Sequence, residues 1–222
     1  MPGHGFAGRS PARMKKSLKH GAPANIIRKK CDRKRGIILT AYGIPPADKN
    51  IVLTGFMGAG KTKVGQILAR RLGRELVDTD EEIERRQGMT IQEIFRKMGE
   101  AAFRQIEREC VTELCAKARR KVISLGGGAF MQEEIRKVCL DMAYVVFLDL
   151  AWEEWQNRIP LIRDTRPLLQ TKTLDEIRQL FDTRRKIYAL SHFIIPAADP
   201  DAEAIADRII GSIAEKHPEF AT

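Results

Sequence analysis

The chain has 222 residues, 43% of them hydrophobic, and a formal net charge of +10. That length buries one good core with room for a tail and hardly two ordinary domains. No apolar stretch approaches the roughly 20 residues that span a bilayer, so an integral membrane protein is not expected. The charge is unevenly placed: residues 1–48 hold eleven Lys or Arg against Asp32 and Asp48, a net of +9, which leaves +1 for residues 49–222. Basicity therefore belongs to a tail and not to the folded part, and no nucleic-acid partner is expected.

Residues 1–48 are rich in Gly, Pro, Lys and Arg and have few large apolar groups before Ile37, Ile38 and Leu39. Such a composition does not offset its chain entropy, and disorder is expected. Three explanations stay open: a start codon assigned too far upstream, with Met14 as one other conceivable start; a solvated tail; or a targeting or nucleic-acid arm. Cys31, Cys110, Cys115 and Cys139 form no C-x-x-C pair and no cluster at metal-ligand spacing, so reduced, mostly buried thiols of a cytosolic protein are expected.

From Asn50 onward short apolar runs alternate with helical patterns, which predicts an α/β domain with a parallel sheet. The first run, Ile51, Val52 and Leu53, leads directly into GFMGAGKT at Gly55–Thr62, which fits G-x-x-x-x-G-K-[ST]. A strand ending in a glycine-rich turn that opens a helix aims several backbone N–H groups at one point, where polyphosphate sits on the helix dipole. Lys61 can then reach the β- and γ-phosphates and Thr62 can hold Mg²⁺. The following helix, Lys61 to Leu72, carries Val64, Ile67, Leu68 and Leu72 on one face and stops at Gly73.

A second strand, Glu75 to Val77, ends at Asp78-Thr79-Asp80. While the backbone stays extended the two carboxylates point the same way, one toward the water shell of Mg²⁺ and the other toward a substrate hydroxyl; alternatively Asp80 is a helix N-cap ahead of Glu81 and Glu82. Thr90 and Glu93 form a capping box for a short helix closed by Gly99. Glu100 to Arg119 continues as a long helix with Phe103, Ile106, Cys110 and Leu114 at helical spacing. On it, Arg104 either faces a cleft or pairs with Glu107 on the surface.

The third strand, Val122 to Leu125, runs into Gly126-Gly127-Gly128, required by a tight turn or by a ligand lying against bare backbone. Tyr144 to Leu148 and Phe193 to Ile195 are the fourth and fifth strands. Between them, Pro160 to Thr173 contains Arg163, Asp164 and Arg166-Pro167-Leu168-Leu169 with little periodicity, and reads as a mobile lid or a plain surface loop. On the helix Leu174 to Ser191 an apolar stripe of Ile177, Phe181 and Tyr188 includes Arg184, which either snorkels or pairs with something buried. Two arginines facing one cleft would suit a substrate carboxylate.

GFMGAGKT, DTD at Asp78–Asp80, GEAAFRQIE at Gly99–Glu107, LGGGA at Leu125–Ala129, RPLL at Arg166–Leu169 and Arg184 four residues before Tyr188 occur in the order and at the spacing of shikimate kinases. The region from about Asn50 to Lys216 resembles that family along its whole length. The resemblance implies a five-stranded parallel sheet flanked by helices, like that of the P-loop nucleoside monophosphate kinases, with a lid segment. It implies transfer of the γ-phosphoryl of ATP to the 3-hydroxyl of shikimate by a cytoplasmic, Mg²⁺-dependent monomer occupying residues 49–217. Residues 1–48 and 218–222 would lie outside that domain.

Carried over by residue, Gly58, Ala59, Gly60, Lys61, Thr62 and Lys63 would bind nucleotide phosphates. Lys61, Asp80 and Arg166 would be catalytic, and Thr62 and Asp78 would hold the metal. Asp80, Arg104, Gly127 and Arg184 would bind shikimate, and Arg166 would reach the phosphates from the lid. A further nucleotide arginine is expected at Arg158; a spacing one residue longer than the family's leaves Arg163 possible. Lys186 stands where R-x-P-x-Y would have proline, so Arg185 competes with Arg184. The alternative is another small P-loop kinase, such as gluconate kinase.

Overall fold

The computed structural model describes residues 43–163, 167–198 and 201–220. The expectations for residues 1–42 and for Arg166 fall outside the described residues. Five strands are formed by β1 (Asn50–Thr54), β2 (Glu75–Asp78), β3 (Lys121–Ser124), β4 (Ala143–Asp149) and β5 (Phe193–Pro196). They make one sheet in the order β2-β3-β1-β4-β5, and every pairing is parallel. All five residues of β1 are buried, as are the first six of β4, because helices cover both faces of a parallel sheet and erase the alternation a half-exposed strand would show. The register sets Leu53 and Asp78 beside Ser124, and Asp149 beside Pro196. All carboxyl ends thus open on one side, where a parallel α/β sheet binds its ligands.

Helix α1 (Lys61–Arg71) buries Val64, Ile67 and Leu68 as its periodicity predicts. Helix α2 (Thr79–Gln87) and the run α3 (Ile91–Lys117) share a small core of their own: Ile83, Ile94, Phe103 and Cys110. Within α3, Gly99 has φ 82° and ψ 170°. The run is two helices meeting at a residue whose backbone only glycine adopts cheaply, as the expected break at Gly99 requires. The Thr90 and Glu93 capping box is present. Helix α4 (Glu133–Met142) precedes β4; α5 (Trp152–Gln156), α6 (Ile159–Ile162), α7 (Pro167–Thr171) and α8 (Leu174–Tyr188) precede β5; α9 (Ala202–Lys216) follows it.

Three details depart from the sequence reading. Extended backbone ends at Asp78, whose own carboxylate accepts the Asp80 N–H at 3.1 Å and caps α2; the cap is Asp78 and not Asp80, and the shared-face argument for the pair does not hold. The segment Pro160 to Thr173 carries two short helices, α6 with proline in its first turn, where a missing N–H costs nothing. Packed residues also reach past both expected boundaries: Ile44 and Phe220 are buried, and Arg74 donates to the Ala47 and Lys49 carbonyls. No helix among the described residues is long and apolar enough to cross a membrane.

Candidate active site

The loop between β1 and α1 is shaped by Gly58 and Gly60, with φ of 76° and 93°. Both are left-handed values open to glycine at no steric cost. The Lys61 ammonium folds back onto this loop and donates to the Gly55 and Phe56 carbonyls at 2.9 and 3.2 Å. Ala59 turns its methyl inward and is buried, so it faces the cleft only through backbone. Thr62 Oγ1 donates to Asp78 Oδ2 at 3.1 Å, which joins the ends of two neighbouring elements into one oxygen-rich corner. From the other side Trp155 Nε1 donates to the Met57 carbonyl at 2.7 Å. Arg158 donates to the carbonyls of Gly58 and Ala197, each at 3.1 Å.

A cavity of about 220 Å³ runs from Gly58, Lys61, Thr62 and Lys63 past Asp78 and Asp80 to Gly126 and Gly127. At this far end two members of the triple glycine, Gly126 and Gly128, make room for different side chains, while Gly127 leaves ordinary contact distance to a third. A Cβ on Gly126 would collide with Asp80 Oδ1; one on Gly127 would lie 3.9 Å from Arg184 Nη1; one on Gly128 would lie 2.9 Å from Arg104 Nη1. None of the three has positive φ, so space and not backbone freedom is what Gly126 and Gly128 supply. The reason is a third one beside the tight turn and the bare-backbone ligand contact.

Arg184 Nη1 donates to the Gly127 carbonyl at 3.0 Å, and Tyr188 Oη donates to the same oxygen at 2.6 Å. The guanidinium also stands 5.9 Å from the centre of the Phe56 ring, an attractive geometry for a cation. Burial pushes the Tyr188 hydroxyl up to about 12, so it remains a donor at neutral pH. Arg185 turns the other way and makes a bidentate pair with Asp149 at 2.8 and 2.7 Å. Of the two competing arginines, Arg184 is the one that reaches Gly127 at the end of the cleft. Arg163 is exposed, whereas Arg158 touches the phosphate loop.

Arg104 donates to Glu107 Oε2 at 2.7 Å and to Glu100 at 3.2 and 3.3 Å. Glu107 is only 1% exposed, so this is no surface pair: a buried carboxylate holds the guanidinium over Gly128. Burial pushes the Glu107 carboxyl up, Arg104 pulls it down, Asp80 adds to the rise, and a hydrogen bond from Gln132 opposes it. Sequence reasoning read Glu107 only as a surface partner of Arg104 and Tyr188 only as part of an apolar stripe, and assigned no role to Gln132 or to Thr79, whose hydroxyl accepts the Gly126 N–H at 2.9 Å. For Glu107, an acid at helical spacing from an arginine was the available signal, and it was equally the signature of an exposed pair.

A family model described as shikimate kinase matches residues 57–214. A shikimate kinase of Geobacillus thermodenitrificans is 53% identical over 171 residues, covering 77% of this chain and 91% of that protein. That of Geobacillus kaustophilus is 52% identical over the same length and shares. Among solved structures, shikimate kinase from Acinetobacter baumannii in complex with shikimate aligns with a TM-score of 0.71 and 37% identity, covering 78% of this chain and 96% of that one. Shikimate kinase from Bacteroides thetaiotaomicron aligns at a TM-score of 0.70 and 32% identity, over 75% of this chain and 99% of that one.

Proposed function

This chain belongs to the shikimate kinase family, and we propose from that premise that it transfers the γ-phosphoryl of ATP to the 3-hydroxyl of shikimate, giving shikimate 3-phosphate and ADP. One observation carries the reading at the level of chemistry: Arg104 and Arg184 stand over adjacent glycines at one end of a cleft whose other end is a phosphate loop. Two guanidinium forks at that end suit the carboxylate of a small acidic alcohol. The acceptor hydroxyl then lies on the Asp80 side, directed toward Lys61.

In this mechanism the loop amides and the α1 dipole cradle the β- and γ-phosphates. Lys61 leaves the carbonyls of Gly55 and Phe56 for the transferring group, where its charge offsets what builds up on the equatorial oxygens. Lys63 and Arg158 add positive charge along the nucleotide. Asp80 orients the acceptor hydroxyl and takes its proton, and Arg104, Arg184 and the Gly127 backbone fix the ring so that attack is in line. We assign Arg166, within the lid segment, to the phosphates as well. The Thr62 hydroxyl and Asp78 carboxylate are hard oxygen donors 3.1 Å apart, a set that fits Mg²⁺. Bound there, the metal would neutralise phosphate charge.

The test is an ADP-release assay with shikimate, gluconate and nucleoside monophosphates as acceptors. Turnover with shikimate alone is expected, and inertness toward shikimate would overturn the proposal. Gluconate kinase, the rival reading, is disfavoured because the family model and both relatives above are shikimate kinases.

A further inference from the structure

We infer that Gln132 is a positioning residue of the acceptor site: its side-chain amide holds the Glu107 carboxylate turned toward Arg104, and so sets the arginine that grips the acceptor carboxylate. The inference rests on the kinase reading and deepens it, since Gln132 touches neither the cleft nor the phosphate loop.

Gln132 occupies the N-cap position of α4, yet its side chain makes no cap hydrogen bond there. Glutamine is not among the residues favoured at that position, and here the amide is used elsewhere. Its Nε2 donates to Glu107 Oε2 at 2.8 Å, and its Oε1 accepts from Arg108 Nη1 at 3.3 Å. The same Glu107 oxygen accepts from Arg104 at 2.7 Å. Gln132 therefore links α4 to the buried carboxylate that orients Arg104, and Arg108 fixes which end of the amide faces it.

The electrostatics around Glu107 explain why a neutral donor matters. From its own helix it faces Arg104, and Cys110 one turn on; from α2 it faces Asp80; from α8, Tyr188. One cation in direct contact, Arg104, with Arg108 reached only through Gln132, thus opposes a second carboxylate in a place nearly closed to water. A buried charge survives there only if its remaining lone pairs find donors. Without the Gln132 amide the Glu107 carboxyl would bind a proton at higher pH. Arg104 would then lean on Glu100 alone, whose side chain is 67% exposed, and its fork would no longer be held over Gly128.

The experiment compares the full chain with Gln132→Met, which keeps side-chain length and the packing of α4 on α3 but removes both polar ends. KM for shikimate should rise about tenfold, the worth of one hydrogen bond to a charged group. KM for ATP should stay within about twofold, because only the acceptor end has been loosened. The acid limb of kcat/KM for shikimate should move to higher pH, while the profile for ATP does not. Gln132→Glu, equal in length and lacking the donor when ionised, should move both readouts in the same direction; it serves alone if the methionine variant does not fold. A limb that stays in place, or equal changes in both KM values, would show that Gln132 merely ties two helices together. A wild-type chain inert toward shikimate would instead sink the kinase reading, so the two failures are distinguishable.

Discussion

A methyl group added at Gly128 would lie 2.9 to 3.1 Å from the Arg104 guanidinium nitrogens, although the backbone there, at φ −110° and ψ −13°, accepts alanine without strain. Gly128→Ala should therefore fold and melt like the wild type while pushing the guanidinium off its position. Misplacing a binding group by about 1 Å can cost about a hundredfold; for the smaller shift forced here we expect roughly a tenfold loss in kcat/KM for shikimate with KM for ATP unmoved. Arg184→Ala is the complementary case, because it deletes the charge itself. Truncating one partner of a charged contact of this kind costs roughly 2 to 5 kcal/mol, and the half-buried setting of Arg184 points to the lower end. Shikimate affinity measured by calorimetry should fall by that amount and ATP affinity should not; an equal loss for both would make Arg184 a structural residue holding Gly127 and Phe56. Arg184 was legible in the sequence because a charge inside an apolar stripe is an anomaly of pattern. Glu107 was not, because helical spacing records which residues share a face and not what that face meets.

Among the elements, the five strands and the break at Gly99 were legible from runs of apolar residues and from punctuation by glycine. The start of α2 was not: whether Asp78 or Asp80 caps it depends on where β2 leaves the sheet, which the pairing with β3 decides. The entry to β5 shows a contact of the same long-range kind. His192 Nδ1 accepts the Val145 N–H of β4 at 3.1 Å. Burial, with Lys49, His217 and Lys216 nearby, pushes the His192 imidazole below the ordinary value of 6.5. A base whose folded value is depressed leaves the unfolded chain binding more protons, so its contribution is fully present above pH 6.5 and is lost as pH falls below it. Protonation would also remove the acceptor for Val145. Because His192 remains exposed to solvent, screening keeps the effect small: stability from urea unfolding should decline slightly as pH falls below 6.5, and His192→Asn should flatten that decline. An unchanged slope in the variant would assign the acid sensitivity to other groups.

For the whole molecule, the question is where the catalytic unit begins. Composition alone set the boundary at residue 48, because the stretch up to there is basic and poor in large apolar groups; it did not reveal that Ile44 is buried or that Arg74 reaches back to the Ala47 and Lys49 carbonyls. Those contacts lie under the amino-terminal ends of the strands, where Asp48 also accepts the Arg120 N–H at 3.0 Å, on the opposite side of the sheet from the cleft. Two truncations separate the possibilities. A chain of residues 43–222 retains every contact described here, and its kcat, its KM values and its melting temperature should match those of the full chain. A chain of residues 49–222 loses the Ile44 side chain, whose burial is worth about 2 kcal/mol; for a domain of this size that lowers the melting temperature by about 4 to 8 °C, with turnover retained at low temperature. If the shorter cut already abolished turnover, residues 1–42 would belong to the catalytic unit. If both chains turned over shikimate but only the full one bound nucleic acid with salt-sensitive affinity, the basic segment would have a partner of its own, independent of the kinase.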